Sequence, residues 1–357
     1  MMTTSAALLR ARRTMVRASA FLLLLLLVLA APARLVAGRG DKVGSASGTQ
    51  LLIPVGARAL GLAGSTLATV TGNEAVYWNP AGLSRSEHAT GIFVSHMAYL
   101  ADIGVDYVAL STRVAGFGTL GLAVKSLSIG SIPITTEDLP DGTGETVTPS
   151  FMVIGGTFSR RMSDQISLGF TTNLILERMG EVSATGIAFN GGIQYLSLGG
   201  VEGLNFGVAV KNVGPQMKYD GDGLLRNGQL SDISRPDAIY KIEAASADLP
   251  STIEIGLGYT RDLNELSHLT ATGMFQNNNF ADDEYRFGLE YDFRDLLFVR
   301  GGFAFSSVGG DQEYVYGSSA GAGIRTTVEG VEISVDYGFR EVKYLRGNHV
   351  FTLSLEL

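Results

Sequence analysis

From about residue 89 onward, hydrophobic and polar residues alternate in short segments separated by turn residues. Ile166, Leu168, Phe170, Thr172, Leu174 and Leu176 share one face, opposed by Gln165, Ser167, Gly169, Thr171, Asn173 and Glu177. Tyr285, Phe287, Leu289, Tyr291 and Phe293 face away from Glu284, Arg286, Gly288, Glu290 and Asp292. Val331, Ile333, Val335, Tyr337 and Phe339 oppose Glu332, Ser334, Asp336 and Gly338. A period of two is the signature of a strand with two different environments on its faces. The pattern predicts strands at 90–97, 103–114, 117–130, 150–160, 165–178, 186–197, 203–212, 251–261, 267–277, 284–293, 296–306, 315–327, 331–340 and 347–357. The connections give an independent test. Every second one is short (115–116, 161–164, 198–202, 262–266, 294–295, 328–330), and the two longest, 131–149 and 213–250, fall on the other side.

An even number of strands, short turns at one end and longer loops at the other describe a transmembrane antiparallel β-barrel of about fourteen strands, with both termini at the short-turn side. A soluble sandwich or propeller also gives alternating strands. It explains neither the loop lengths nor the final strand, where Phe351, Leu353, Leu355 and Leu357 alternate with Thr352, Ser354 and Glu356. Barrels of this type usually end on an aromatic residue; here the last is Leu357. Tyr99, Tyr195, Tyr259, Tyr291, Phe293, Tyr314, Tyr337 and Phe339 lie near strand ends, where aromatic girdles belong.

The N-terminus reads as an export signal over residues 1–37. Arg10, Arg12, Arg13 and Arg17 precede the apolar run 21–31, with small-residue cleavage sites after Ala33 or Ala37. The expected location is therefore the outer membrane, reached by a cleaved signal. Cleavage after Ala33 removes those four arginines and leaves 23 basic residues against 35 acidic ones, a formal net charge near −12; cleavage after Ala37 removes Arg34 as well. That excludes a nucleic-acid partner, which needs a basic patch. The chain has no cysteine, so thiolate sites and disulfides are out of reach. It has 46 glycines and only 17% charged residues, a composition that suits lipid-facing strands.

Parity puts Arg286, Glu290, Arg300, Arg325, Glu332 and Asp336 on the polar faces of four successive strands. An Arg or Lys facing lipid at mid-depth costs ~2–4 kcal/mol, so these charges are expected in the lumen, with Phe287, Leu289, Val299, Ile333 and Val335 toward lipid. They form either a salt-bridge lattice or a polar conduit. Residues 44–88 do not alternate. Ala57, Leu60, Leu62, Leu67 and Val70 fall loosely at helical spacing. The only Trp follows, in Ala75-Val76-Tyr77-Trp78-Asn79-Pro80-Ala81-Gly82-Leu83. Pro80 drives Asn79 out of the helical region, and Gly82 offers a positive φ. Such a segment is expected to fill the lumen as a plug, with a tail outside the barrel as the alternative. The buried Arg58 would then need a carboxylate or carbonyl partner.

Gly56-Ala57-Arg58-Ala59-Leu60-Gly61 together with Trp78, Asn79, Pro80, Ala81 and Gly82 resembles the opening of PorV/PorQ family outer-membrane proteins. These are relatives of the FadL transporters, whose hatch also carries Asn-Pro-Ala. Leu249-Pro250 before 253–259 is similar to a second, weaker family pattern. The resemblance covers nearly the whole mature chain. It implies a plug or hatch over 44–88 and a fourteen-stranded barrel over 89–357. It also implies a non-catalytic role: docking and shuttling of cargo proteins in export of the type IX kind, or FadL-like passage of hydrophobic small molecules. The expected partners are outer-membrane lipid and either of those two classes.

Other strings fit chemical motifs without their context. Gly116, Gly118 and Gly121 match GxGxxG, but a strand pattern follows where a nucleotide site needs a helix. Gly317, Ser319 and Gly321 match GxSxG in mid-strand. Asp220-Gly221-Asp222-Gly223 lacks a full calcium ligand ladder and reads as an acidic turn. His88, His96, His268 and His349 show no ligand spacing, and His96 alone lies near an outer loop. No enzyme, metal or cofactor is expected.

Overall fold

The computed structural model describes residues 44–228, 238–306 and 314–357; the signal reading of residues 1–37 lies outside them. Fourteen long strands form the wall: β1 (Thr90–Ala98), β2 (Gly104–Val114), β3 (Gly118–Ser128), β4 (Ser150–Arg161), β5 (Ile166–Met179), β6 (Val182–Tyr195), β7 (Leu204–Val213), β8 (Thr252–Asn264), β9 (Ser267–Asn278), β10 (Glu284–Phe293), β11 (Leu297–Ser306), β12 (Tyr316–Val328), β13 (Val331–Val342) and β14 (Asn348–Glu356). Each pairs antiparallel with the next. The last closes on the first, with Ile92 opposite Leu355 and Val94 opposite Leu353. Closure leaves no open edge strand in the wall, as a hydrocarbon solvent requires. No helix among the described residues is long and apolar enough to cross a membrane; the strands do so.

Outward positions carry the apolar residues. Leu289, Val299, Val335, Phe351 and Leu353 are exposed on the outer face. Tyr285 and Phe287 stack on Phe305 with ring centroids 5.3 and 6.1 Å apart. Inward positions hold small, polar or charged residues, and the protein's core lies there, inside the barrel.

The structure departs from the sequence reading in three places. First, β6 begins four residues early. Met179 pairs with Val182 across a two-residue turn in which Gly180 has φ 61°. This connection at the long-loop rim is therefore short. Residues 181–185 read as loop because only the small Val182 and Ala184 mark an apolar face there, yet they extend the hairpin beyond the wall. Asp220 and Gly221 of the acidic motif pair with that extension, opposite Ser183 and Val182.

Second, only the barrel's own ends meet at the short-turn rim. The Ser47 N–H donates to the Asp248 carbonyl (3.0 Å) and the Gly48 N–H to Glu177 Oε1 (3.1 Å), both at the long-loop rim. The chain then runs down through the lumen and leaves it near residues 86–88.

Third, Gly82 has no positive φ. Glycine is required there by space: a Cβ would lie 2.2 Å from the Val70 carbonyl oxygen and 2.9 Å from Ala75 Cβ.

The lumenal segment is a series of short turns. It contains α1 (Ala57–Gly61), α2 (Ala75–Trp78) and 3-10 turns at Thr49–Leu52, Gly72–Glu74 and Pro80–Arg85. The helix suggested by the 55–70 spacing is only five residues long. Ala63 (φ 54°) and Gly64 (φ 78°) turn the chain just beyond its end.

Candidate functional site: the lumenal plug and its wall

Residues 51–84 are almost wholly buried, with Ala57, Leu62, Leu67, Val70, Ala75, Asn79 and Ala81 at 0% exposure. Among the described residues, four apolar clusters join them to the wall, and two of these are the largest. One packs Leu51 with Val153, Ile175, Ala184, Ala188, Met217 and Leu249. The other packs Val55, Val76 and Leu83 with Phe93, Tyr107, Ala109 and Ala123.

Between these clusters the wall presents glycine to the plug. A Cβ on Gly169 of β5 would stand 2.1 Å from the Pro80 carbonyl carbon. One on Gly192 of β6 would stand 2.0 Å from Asn79 Oδ1, and one on Gly338 of β13 2.5 Å from the Ala57 carbonyl oxygen. Plug and wall approach more closely than any side chain allows.

A chain of turns leaves many peptide groups unpaired, and burial without partners costs ~1–3 kcal/mol each. Inward side chains of the wall satisfy them. Gln194 Nε2 donates to the carbonyls of Leu67 (3.1 Å) and Val70 (2.9 Å). Lys125 Nζ donates to those of Gln50 (3.1 Å) and Ile53 (2.7 Å). Ser159 Oγ donates to Ala81 and Ser319 Oγ to Gly61. Thr352 Oγ1 accepts from Ala57 N–H at 2.9 Å. Ser319 of the GxSxG string is thus a plug contact on a strand.

The hatch-motif residues divide between two sides of the plug: Asn79 and Pro80 lie against β5 and β6, and Gly56 and Arg58 against β1 and β10. Asn79 caps the Pro80–Arg85 turn, its Oδ1 accepting from Ala81 N–H at 3.2 Å, with Pro80 in the first-turn position suited to its ring. Its Nδ2 donates to the carbonyls of Leu67 (2.9 Å) and Ile193 (3.1 Å). The one side chain therefore ties two plug turns to β6. Trp78 is 2% exposed and donates from Nε1 to the Val55 carbonyl at 3.0 Å. Gly56 turns the chain at φ 87°, where a Cβ would collide with Glu74 at 2.2 Å.

Arg58 reaches across to the wall. Its Nε and Nη2 grip Glu290 at 3.0 and 2.9 Å, and Nη1 lies 3.8 Å from Glu74. Arg300 bonds both Glu290 and Asp336. Arg286 pairs with Glu284 at 2.7 Å, and Arg325 with Glu332 at 3.4 Å. The six expected lumen charges thus all face inward, but they form three groups: Glu290, Arg300 and Asp336 around Arg58, Arg286 alone near the long-loop rim, and Arg325 with Glu332 near the other. Burial pushes the Glu74 carboxyl up to about 7, against the pull of Arg58.

Sequence reasoning missed Glu74 and a second buried pair, Lys211 with Glu254 at 3.0 Å. Lys211 also lies over the rings of Tyr77 (4.8 Å) and Trp78 (5.4 Å). The inward parity of Lys211 and Glu254 was the available signal.

Cavities flank the plug. One of about 870 Å³ opens at the short-turn rim, lined by Arg58, Glu74, His88, Glu290, Asp336 and Glu356 among others. Another of about 280 Å³ lies toward the long-loop rim, lined by residues including Leu60, Trp78, Tyr99, Glu284, Arg286 and Arg340.

A family profile described as type IX secretion system protein PorV matches residues 39–233, more than half of the chain. The chain belongs to the PorV family. No curated protein matches it in sequence. Among solved structures, the PorV-family chain is similar to the P. putida toluene transporter TodX, at 10% identity and TM-score 0.54 over 85% of this chain and 98% of that one. A Pseudomonas aeruginosa FadL homologue gives 12% identity and TM-score 0.52 over 85% and 98%. The CymD monoaromatic hydrocarbon channel gives 12% and 0.51 over 85% and 97%. At these identities the likeness establishes the fold. This PorV-family member is an outer-membrane β-barrel, and family and fold point to a non-catalytic one.

Proposed function

We propose that this barrel is a docking or shuttle component associated with protein export of the type IX kind, delivered by a cleaved signal over residues 1–37. Residues 44–88 act as its plug and 89–357 as its wall. The observation that carries this reading is the filled lumen: the plug is held by apolar packing, backbone hydrogen bonds and Arg58, and the flanking cavities are lined with charge. The long-loop rim supports it. There the hairpins Ile132–Pro133 with Thr146–Val147 and Leu225–Gly228 with Ala238–Lys241 stand beyond the wall. They leave Ile132, Leu139, Ile239 and Ile242 exposed. Cargo proteins would bind there, with no chemistry performed on them.

The second reading, a FadL-like channel for hydrophobic small molecules, is favoured by the fold it shares with TodX and CymD. Two measurements separate them. Replacing residues 131–149 by a tight turn should leave a folded barrel and stop release of exported proteins from the parent bacterium. Proteoliposomes should admit toluene no faster than protein-free vesicles. Fast toluene entry with export intact in the loop variant sinks the docking reading.

A further inference from the structure

The segment leaving the lumen passes the seam where β13 pairs with β14. His88 Nε2 lies there 3.7 Å from Glu332 Oε2 and 4.0 Å from Glu356 Oε2. One ligand atom from each residue lies within 4.8 Å of the other two. Glu332 and Glu356 stand directly opposite each other in the strand register, a like-charge pair that weakens a sheet without a cation between. Their oxygens are already divided. Glu332 Oε1 turns to Arg325 at 3.4 Å, leaving Oε2 toward His88. Glu356 Oε2 accepts from Ser86 Oγ at 3.0 Å, which fixes its direction.

An independent observation comes from Asn73. It is 2% exposed and lines the same cavity, and neither its Oδ1 nor its Nδ2 has a partner. Its Nδ2 lies against Gly91, 2.4 Å from where a Cβ would stand, and Gly91 is the register partner of Glu356. A buried amide at a polar cavity is satisfied by water or by the hydration shell of an ion.

We propose that His88, Glu332 and Glu356 bind a divalent transition-metal ion, with Zn²⁺ as the best fit. One imidazole and two carboxylates are borderline ligands suited to it, and three protein ligands leave a fourth position for water. Bond lengths of 2.0–2.2 Å place tetrahedral ligands about 3.4 Å apart, so the observed separations need only small side-chain movements. The bound ion would tie the plug's exit segment to the last two strands of the wall, a clasp distinct from the Arg58 contacts deeper in the lumen. Imidazole ligation selects against Ca²⁺.

The test is isothermal titration of the full chain in detergent, stripped with chelator, using ZnCl₂ and then CaCl₂. Saturable one-to-one Zn²⁺ binding is expected, with Ca²⁺ far weaker. His88→Ala and Glu356→Gln should each weaken Zn²⁺ by roughly tenfold or more. His268→Ala, which alters the other His-carboxylate group with Asp292 and Asp295, should not. His88 lies outside the strands, so its variant keeps the test valid if Glu356→Gln fails to fold. Zn²⁺ should also slow protease cleavage between residues 85 and 90 in wild type and not in His88→Ala. No saturable Zn²⁺ binding, unchanged affinity in His88→Ala, or loss of binding in His268→Ala overturns the proposal.

Discussion

Replacing Arg58 by Ala should release the plug while leaving the wall closed. Around this residue two guanidiniums, Arg58 and Arg300, serve three carboxylates, Glu74, Glu290 and Asp336. Removing one cation leaves Glu74 with only the Ala59 N–H as a partner, and leaves Glu290 sharing Arg300 with Asp336. Breaking a buried ion pair costs ~3–5 kcal/mol. We take about 3 kcal/mol, the lower end, for two reasons. Glu290 keeps Arg300, and Glu74 holds a proton readily because burial has raised its carboxyl to about 7. The cost falls on the plug alone, since Arg58 makes no contact with the wall's hydrogen-bond ladder. At 1.4 kcal/mol per factor of ten, the displaced plug becomes roughly a hundredfold more populated. Single-channel recording in planar bilayers should show a large rise in open events. Limited proteolysis should cut within 56–83, and the heat-dependent gel shift of the folded barrel should stay near the wild-type temperature. Arg58→Lys keeps the charge but loses the two-pronged grip on Glu290, so it should fall between. Wild-type conductance and protease resistance in Arg58→Ala would show that Arg58 does not hold the plug.

Asn79→Ala strands the Ala81 N–H, takes one of two side-chain donors from the Leu67 carbonyl, which keeps Gln194 Nε2, and cuts the tie to the Ile193 carbonyl, at ~1–3 kcal/mol for a buried group left unpaired. It should raise open probability in the same bilayer assay, and an unchanged trace counts against the plug reading. Gly192→Ala pushes a methyl to 2.0 Å from Asn79 Oδ1, whereas neighbouring Gly191 has nothing within 4 Å. The first should lower the melting temperature by a strain of ~1–3 kcal/mol and the second should not; equal melting temperatures refute the close-approach argument. The Glu74 carboxyl lies at about 7 in the folded plug against an ordinary 4.5. Its contribution is therefore full below about 4.5 and is lost as pH rises through about 7, in total about 3 kcal/mol. Open events should be more frequent at pH 8 than at pH 5, and Glu74→Gln should flatten that difference; a fall with rising pH would reverse the sign.

The wall was legible because its two solvents make opposite demands at every residue. β10, β13 and β14 each announce themselves by alternation, and one register error would have put Arg300 or Asp336 into hydrocarbon. The inward charges were legible by the same parity, and Arg58's need of a carboxylate or carbonyl partner followed from burial alone, without saying which. The plug's course was not legible. A five-residue helix and several 3-10 turns carry no period, so Glu74 had no pattern to reveal it as the partner of Ala59 and Arg58. Gly82 was misread because a glycine required by space and one required by φ look identical in sequence. The entry of the plug from the long-loop rim rests on Glu177 and Asp248, far apart in the chain, and only the folded barrel brings them to Gly48 and Ser47.

The inward face of the wall shows how plug and barrel specify one another. Gly169, Gly192 and Gly338 stand where the plug presses closely, with backbone against β5 and β13 and the Asn79 side chain against β6. Gln194, Lys125, Ser159 and Ser319 stand where its carbonyls turn outward, on β6, β3, β4 and β12. Glu290 meets Arg58 from β10. The attachment is spread around the circumference and uses shape, hydrogen bonds and charge together. A gate moved by a small ligand needs few contacts to break, because a ligand shifts an equilibrium only by its differential affinity for the two states. Here that affinity would have to offset close packing on several strands and a chain of buried backbone partners at once. This is the physical reason for favouring a filled, rigid barrel that presents its rim to other proteins over one that opens for each solute.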